Sequence, residues 1–374
     1  MTINNEHKKL NVPNLRFPEF QGEWEKCKLG DISEFSKDRL NSKGLSCDNY
    51  VATENMLQDY QGIVAASNIP SSTNVIKFSK GDVLLSNIRP YLKKVWYADR
   101  DGGCSADVLV FKALSACIPD FLHYVIANDR FINFAMSGAK GVKMPRGDKE
   151  QMKTYEIGLP SIEEQKKIAK LLSLLDERIT TQNKIIDKLQ SLIKGIAQHC
   201  IRELINGWEY VRLGDICKIT TGKLDANAQV ENGQYPFFTC AERPFNIDSY
   251  DFDTEALLIS GNGVNLGYIN YYKGKFNAYQ RTYVLDHFSV NIQYVKWALK
   301  VLLPQRIAIE KSSSNTPYIV LSTLTDLKIP IPNNSKQNHI ANLMMSFERK
   351  LSTQLALSDL YNKQKQYLLR QMFI

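Results

Sequence analysis

The chain is written twice. WEKCKLGDISEF at 24–35 returns as WEYVRLGDICKI at 208–219, 184 residues later. GDVLLS at 81–86 returns within TEALLIS at 254–260, and MPRGDKEQMKTYEIGLP at 144–160 returns as TPYIVLSTLTDLKIPIP at 316–332. The stretch after each copy repeats too: Gln165 matches Gln337, Ile168 Ile340, Ala169 Ala341, Asp176 Glu348 and Gln182 Gln354. A self-similar period of this length means two copies of a domain-sized unit. The order predicted is a globular domain at 1–158, a long helix at 159–207, a second globular domain at 208–332 and a second long helix at 333–374. Copy one carries about eleven extra residues between Asp31 and Gly81, in a stretch that reads as strands and loops.

The first helical stretch has apolar residues at Ile168, Leu172, Leu175, Ile179, Ile186, Leu189, Ile193, Ile196 and Cys200. Steps alternating between four and three average 3.5, the period of a left-handed coiled coil. Only Gln182 interrupts the seam. Ser161 followed by Glu164 has capping-box spacing, and Asn206-Gly207 is a stop signal. At about 1.5 Å per residue such a helix spans roughly 60 Å. In the second helix the seam runs Ile340, Met344, Phe347, Leu351, Gln354, Ser358, Tyr361, Lys365, Leu368 and Met372. Ser358 and Lys365 are poor seam residues, which shifts the expected stripe towards Leu357 and Leu360. A tandem repeat with pseudo-two-fold symmetry pairs its equivalent helices antiparallel. The candidate pairing residues are Leu175, Ile179, Gln182 and Ile186 on the first helix and Phe347, Leu351 and Gln354 on the second. Gln182 and Gln354 are equivalent, so they are expected to meet near the two-fold axis as a buried polar layer that sets register.

Each globular unit mixes short strands with an amphipathic helix, marked by Phe121, Leu122, Val125 and Ile126 in copy one and by Tyr294, Val295, Trp297, Ala298 and Leu299 in copy two. The fold class is therefore α+β, two tandem mixed α/β domains each followed by a long helix. The net charge of +8 sits mainly on the helical segments, because the two globular stretches are close to balanced. A nucleic-acid face on the domains must therefore come from local clustering. The polar start and the lack of a long apolar run point to no membrane span and no secretory leader. Seven scattered cysteines without C-x-x-C spacing fit reduced thiols of a cytoplasmic protein. No phosphate-binding loop, amino-methyltransferase tetrapeptide or zinc spacing is present. Gly261-Asn262-Gly263 reads as a turn after a strand, and a nuclease-like set of Asp120, Glu164 and Lys166 is better explained by Glu164 as a helix cap.

The layout resembles the DNA-specificity subunit of Type I restriction-modification systems. The likeness rests on Leu15-Arg16-Phe17-Pro18-Glu19-Phe20 before Trp24, on Leu29-Gly30-Asp31-Ile32 and its repeat Leu213-Gly214-Asp215-Ile216, on Asn87-Ile88-Arg89-Pro90-Tyr91-Leu92-x-Lys94, and on Leu159-Pro160 leading to Glu164-Gln165-Lys166-Lys167-Ile168-Ala169. Copy two departs from the pattern at 261–267 and at Asn334-Ser335-Lys336-Gln337, which implies a different DNA sequence for its domain and a weaker helix cap. The resemblance implies a non-catalytic chain whose two target-recognition domains read the halves of a split double-stranded DNA target. It implies two modification subunits and restriction subunits as partners. It places no cofactor on this chain, and S-adenosylmethionine, ATP and Mg on those partners. Base edges need Arg, Lys, Asn or Gln, and phosphates need positive charge. The candidate contacts in copy one are Arg89, Tyr91, Lys93, Lys94, Lys140, Lys143 and Arg146. In copy two they are Asn262, Asn265, Tyr279, Gln280, Arg281, Lys311, Asn315 and Tyr318. The competing readings are a coiled-coil scaffold with two protein-binding domains and a stand-alone nuclease.

Overall fold

The structure is a computed structural model that describes residues 11–203, 208–311 and 318–374. It divides into two compact units, 1–181 with 358–374, and 182–357. Each unit takes part of both long helices, so the unit boundary runs through them.

In the first unit an antiparallel four-stranded sheet has the order Ser33–Phe35, Val108–Ala113, Val83–Ser86, Val95–Tyr97. The strand Val83–Ser86 is buried throughout, with Val83, Leu84 and Leu85 apolar on both faces and Ser86 a buried polar residue at its end. A second four-stranded sheet runs Arg39–Asn41, Asn74–Phe78, Gly102–Cys104, Tyr50–Val51. Glu25–Lys28 pairs with Glu156–Leu159, which brings the start of the domain to the start of its long helix. One core joins the sheet, the helices Pro119–Ile126 and Asp129–Ser137, and Ile168, Leu172, Leu369 and Met372 of the long helices.

The second unit repeats this frame. Glu209–Arg212 pairs with Lys328–Ile331. A six-stranded sheet runs Lys218–Thr221, Thr282–Asp286, Phe252–Ser260, Ile269–Ala278, Tyr235–Phe238, Phe245–Ile247. The helix Ile292–Lys311 packs on it with the buried ring of Tyr294 and the side chains of Val295 and Leu299.

The long helices are Ile162–Gln198 and Asn334–Met372. The first passes into a π-type turn at His199–Glu203, and the expected stop at Asn206-Gly207 lies outside the described residues. Within the first unit Asp176 lies beside Lys365, and Arg178 stacks on Tyr361. Within the second, Gln182 meets Gln354, and Leu189 and Ile193 share a core with Met344, Phe347 and Leu351. Numbering rises on one helix as it falls on the other, so the pairing is antiparallel in both units. Leu175 and Ile186 are buried and Ile179 is half-buried. Gln182 Nε2 donates to Gln354 Oε1 at 2.8 Å and to its backbone carbonyl at 3.1 Å.

Three details of the helices differ from expectation. The stripe does not shift: Ser358 and Lys365 stay buried on the seam, while Leu360 is 60% exposed. Lys365 is tolerated there because Asp176 accepts from its ammonium at 2.6 Å. The capping box is only half made. Glu164 N–H donates to Ser161 Oγ, but the Glu164 carboxylate forms a two-pronged pair with Arg16 instead of returning to the cap. The second helix, lacking that acid, is capped by Asn333, whose Oδ1 accepts from Lys336 N–H at 3.0 Å.

Both copies tie the long helix to its own domain by the same joint. Gln165 Oε1 accepts from Ile118 N–H and its Nε2 donates to Pro160 and Ala116 carbonyls. Gln337 does the same with Asn291 N–H and the Pro332 carbonyl. Three turns further on, Asp176 accepts from Tyr124 Oη, and Glu348 accepts from Lys296 and Lys300. No helix among the described residues is long and apolar enough to cross a membrane, and all seven cysteines are free.

Candidate nucleic-acid interface

In the first unit the chain leaves the central strand at Ser86 and enters a tight turn over Pro90–Leu92. Two backbone links tie this turn to the loop 140–146: Ile88 bridges Arg146, and Arg89 N–H donates to the Pro145 carbonyl. The second loop closes on itself through paired backbone bonds between Lys140 and Arg146. Its tip carries Lys143 with Val142 and Met144, all exposed. A third link, Asn87 N–H to the Asp107 carbonyl, adds the turn before Val108–Ala113. The structure thus gathers all seven candidates of copy one at one end of the sheet.

Their charges are not equally available. Lys93 pairs with Asp129 at 2.9 Å, and Asp129 also accepts from Tyr60 Oη at 2.8 Å. Burial and that carboxylate push the Tyr60 phenol well above its usual range. Lys94 Nζ donates to the Thr53 carbonyl at 2.7 Å. Lys140 pairs with Asp148, and with the backbone N–H groups of Gln151 and Glu150 it holds that carboxyl below the usual range. Arg146 pairs with Asp107 at 3.0 Å. Arg89 and Lys143 have no such acid among the described residues. The acids Asp107 and Asp129 were not legible as partners, because each reaches its cation only through segments that meet in space, whereas Asp148 lies eight residues from Lys140.

The second unit builds the same place from different residues. Ser260 N–H donates to the Tyr268 carbonyl as Ser86 N–H does to Lys94, and Gly261 N–H donates to Arg281 as Asn87 N–H does to Asp107. The turn after the strand, expected from Gly261-Asn262-Gly263, is present, with Gly263 in the left-handed region. Ile319 N–H donates to the Gly261 carbonyl and brings exposed Tyr318 alongside. Cys240, which spacing gave no reason to select, organises the polar side chains. Its thiol donates to Asn262 Oδ1 at 3.0 Å, and its carbonyl accepts from Asn265 Nδ2 at 3.0 Å. Tyr279 is half-buried, and Gln280 and Arg281 are exposed on the adjoining turn. Asn262, Asn265, Tyr279, Gln280, Arg281 and Tyr318 therefore converge. Lys311 closes the helix Ile292–Lys311, but its side chain and Asn315 lie outside the described residues.

Comparison with known proteins agrees with this duplication. The family described as Type I restriction modification DNA specificity domain matches residues 21–191 and again 205–357. The EcoDI specificity subunit of Escherichia coli is 45% identical over 36% of this chain, a match spanning 30% of that relative's own length. The MjaVIII specificity subunit of Methanocaldococcus jannaschii is 23% identical over 89% of this chain and 87% of its own. The crystal structure of a Type I restriction-modification S subunit from M. genitalium superposes with a TM-score of 0.67 at 18% identity, covering 97% of this chain and 99% of that one. The chain belongs to the Type I restriction-modification DNA specificity family and carries its domain twice.

Proposed function

We propose that this chain is the DNA-reading subunit of a Type I restriction-modification complex, with one half of a bipartite target read by each unit. The observation that carries this reading is a duplicated backbone frame whose side chains diverge at one place. Where the first unit has Arg89, Lys94 and Asp107, the second has Gly263, Tyr268 and Arg281, although the hydrogen bonds around them correspond. A common frame with different donors and acceptors is what reading two different sequences needs. The paired helices act as the spacer between the half-sites and as the docking post for two modification subunits. Restriction subunits join that assembly. The partners bring S-adenosylmethionine, ATP and Mg, and adenine methylation and cleavage are theirs. Ile185 and Leu192, seven residues apart and exposed on the first helix, are suited to such docking.

The test is methylation mapping of a genome in a cell carrying this chain and a modification subunit. A methylated motif of two short sequences separated by a fixed unspecified spacer is expected. Methylation without such a motif, in a cell where the complex assembles, refutes the reading.

A further inference from the structure

Four of the six non-glycine residues with positive φ among the described residues lie in one knot. They are Asp59 at 52°, Tyr60 at 63°, Arg89 at 50° and Lys93 at 53°. Asp59 N–H donates to the Leu92 carbonyl and Tyr60 N–H to the Lys93 carbonyl, so the two segments hold each other. The left-handed region is disfavoured for every L residue with a Cβ, and such strain gathers where a side chain must be presented.

The second unit shows that the turn itself does not need these side chains. Its two left-handed corners, again four residues apart, are Gly263 at 78° and Gly267 at 80°. Glycine satisfies them without strain. What, then, do Arg89 and Lys93 do? Lys93 is explained inside the domain, since its ammonium and the Tyr60 hydroxyl share Asp129. Arg89 is not. Its Nε is buried without a hydrogen-bond partner, as is Oδ1 of Asn87 two residues before it. The neighbouring cations Lys140 and Arg146 already have Asp148 and Asp107.

We infer that Arg89 reads a guanine in the half-site met by the first unit, its backbone held left-handed to aim a preset guanidinium fork. This rests on the DNA-reading function proposed above. The fork matches O6 and N7 of guanine in the major groove, which glycine cannot do and which lysine does only with a flexible point charge in place of a rigid planar fork. The second unit has Gly263 at this corner, so it reads its own half-site without an equivalent arginine.

The experiment captures duplexes from a random-sequence pool with the full chain, at one fixed salt concentration, and sequences them. Arg89→Gly and Arg89→Lys are compared with the unaltered chain, and each is also melted. The unaltered chain is expected to enrich a two-part sequence with a guanine at one fixed position of one half. Arg89→Gly is expected to melt no lower and to lose about tenfold discrimination at that position alone. Arg89→Lys, with its charge but no fork, should relax the same position. Identical enriched sequences for Arg89→Gly and the unaltered chain overturn the assignment. Uniform weakening of all sequences overturns it as well, since that marks a phosphate contact. So does relaxation at a position that is not guanine, or a lower melting temperature with both halves lost. If the unaltered chain enriches no two-part sequence, the DNA-reading function itself fails and the assignment falls with it.

Discussion

At the scale of single residues, charge decides more than position. His123 stands between the rings of Tyr97 and Tyr124, with Nδ1 covered and unpartnered. Burial, reinforced by Lys365 and opposed by Asp176, pulls its imidazole from 6.5 down to about 4. The unfolded chain therefore takes up this proton below 6.5, and the folded chain only near 4. The neutral ring favours the folded state above that window, and the advantage is lost as pH falls through it. His123→Phe should flatten the fall in melting temperature between pH 6.5 and 4, a difference on the order of 2 kcal/mol by differential scanning calorimetry. Lys365 is the neighbouring lesson. It looked out of place on an apolar seam because its acid, Asp176, lies on the other long helix, where no local pattern connects them. Asp176 is one-third exposed, so Lys365→Met should lower stability by only about 1 kcal/mol.

At the scale of elements, the first helix was legible because an antiparallel pair buries one stripe, and a stripe imposes a period. Ile168, Leu172, Leu175, Ile186, Leu189 and Ile193 are all buried as their spacing requires. The second helix was less legible, since its buried seam carries polar Ser358 and Lys365, the latter held there by Asp176 and not by apolarity. The Gln182–Gln354 contact followed from equivalence in the repeat and is present at 2.8 Å. Gln182→Leu alone should destabilise by about 1 kcal/mol, because it leaves Gln354 without its donor. The double change to leucine should restore or raise the melting temperature while loosening register, since an apolar layer accepts more alignments than a hydrogen-bonded one. Equal melting of the single and double variants would show that the pair contributes nothing. Caps were legible only in part. Ser161 was found by pattern, but Glu164 was claimed by Arg16 from a segment 148 residues away.

For the whole molecule, the ruler role of the helices predicts a separable change. Inserting one helical turn, about four residues, in either long helix should alter the spacer in the methylated motif and leave both half-site sequences unchanged. An unaltered spacer would remove the ruler from the proposal. Duplication, helix periodicity and the α+β class came from the order of residues alone, because repeats and apolar stripes are local and survive without coordinates. The copy-one candidates around Arg89 and Lys143 were named from residue order too, but their meeting at one end of the sheet came from the backbone links between their two loops. Which of those cations is already neutralised was not in that order. That Lys93, Lys94, Lys140 and Arg146 are engaged and Arg89 is not depends on Asp129, Thr53, Asp148 and Asp107. Apart from Lys140–Asp148, these partners are brought together by strand crossings and loop closures. An ion pair of this kind is set by distance through space, which sequence separation does not encode.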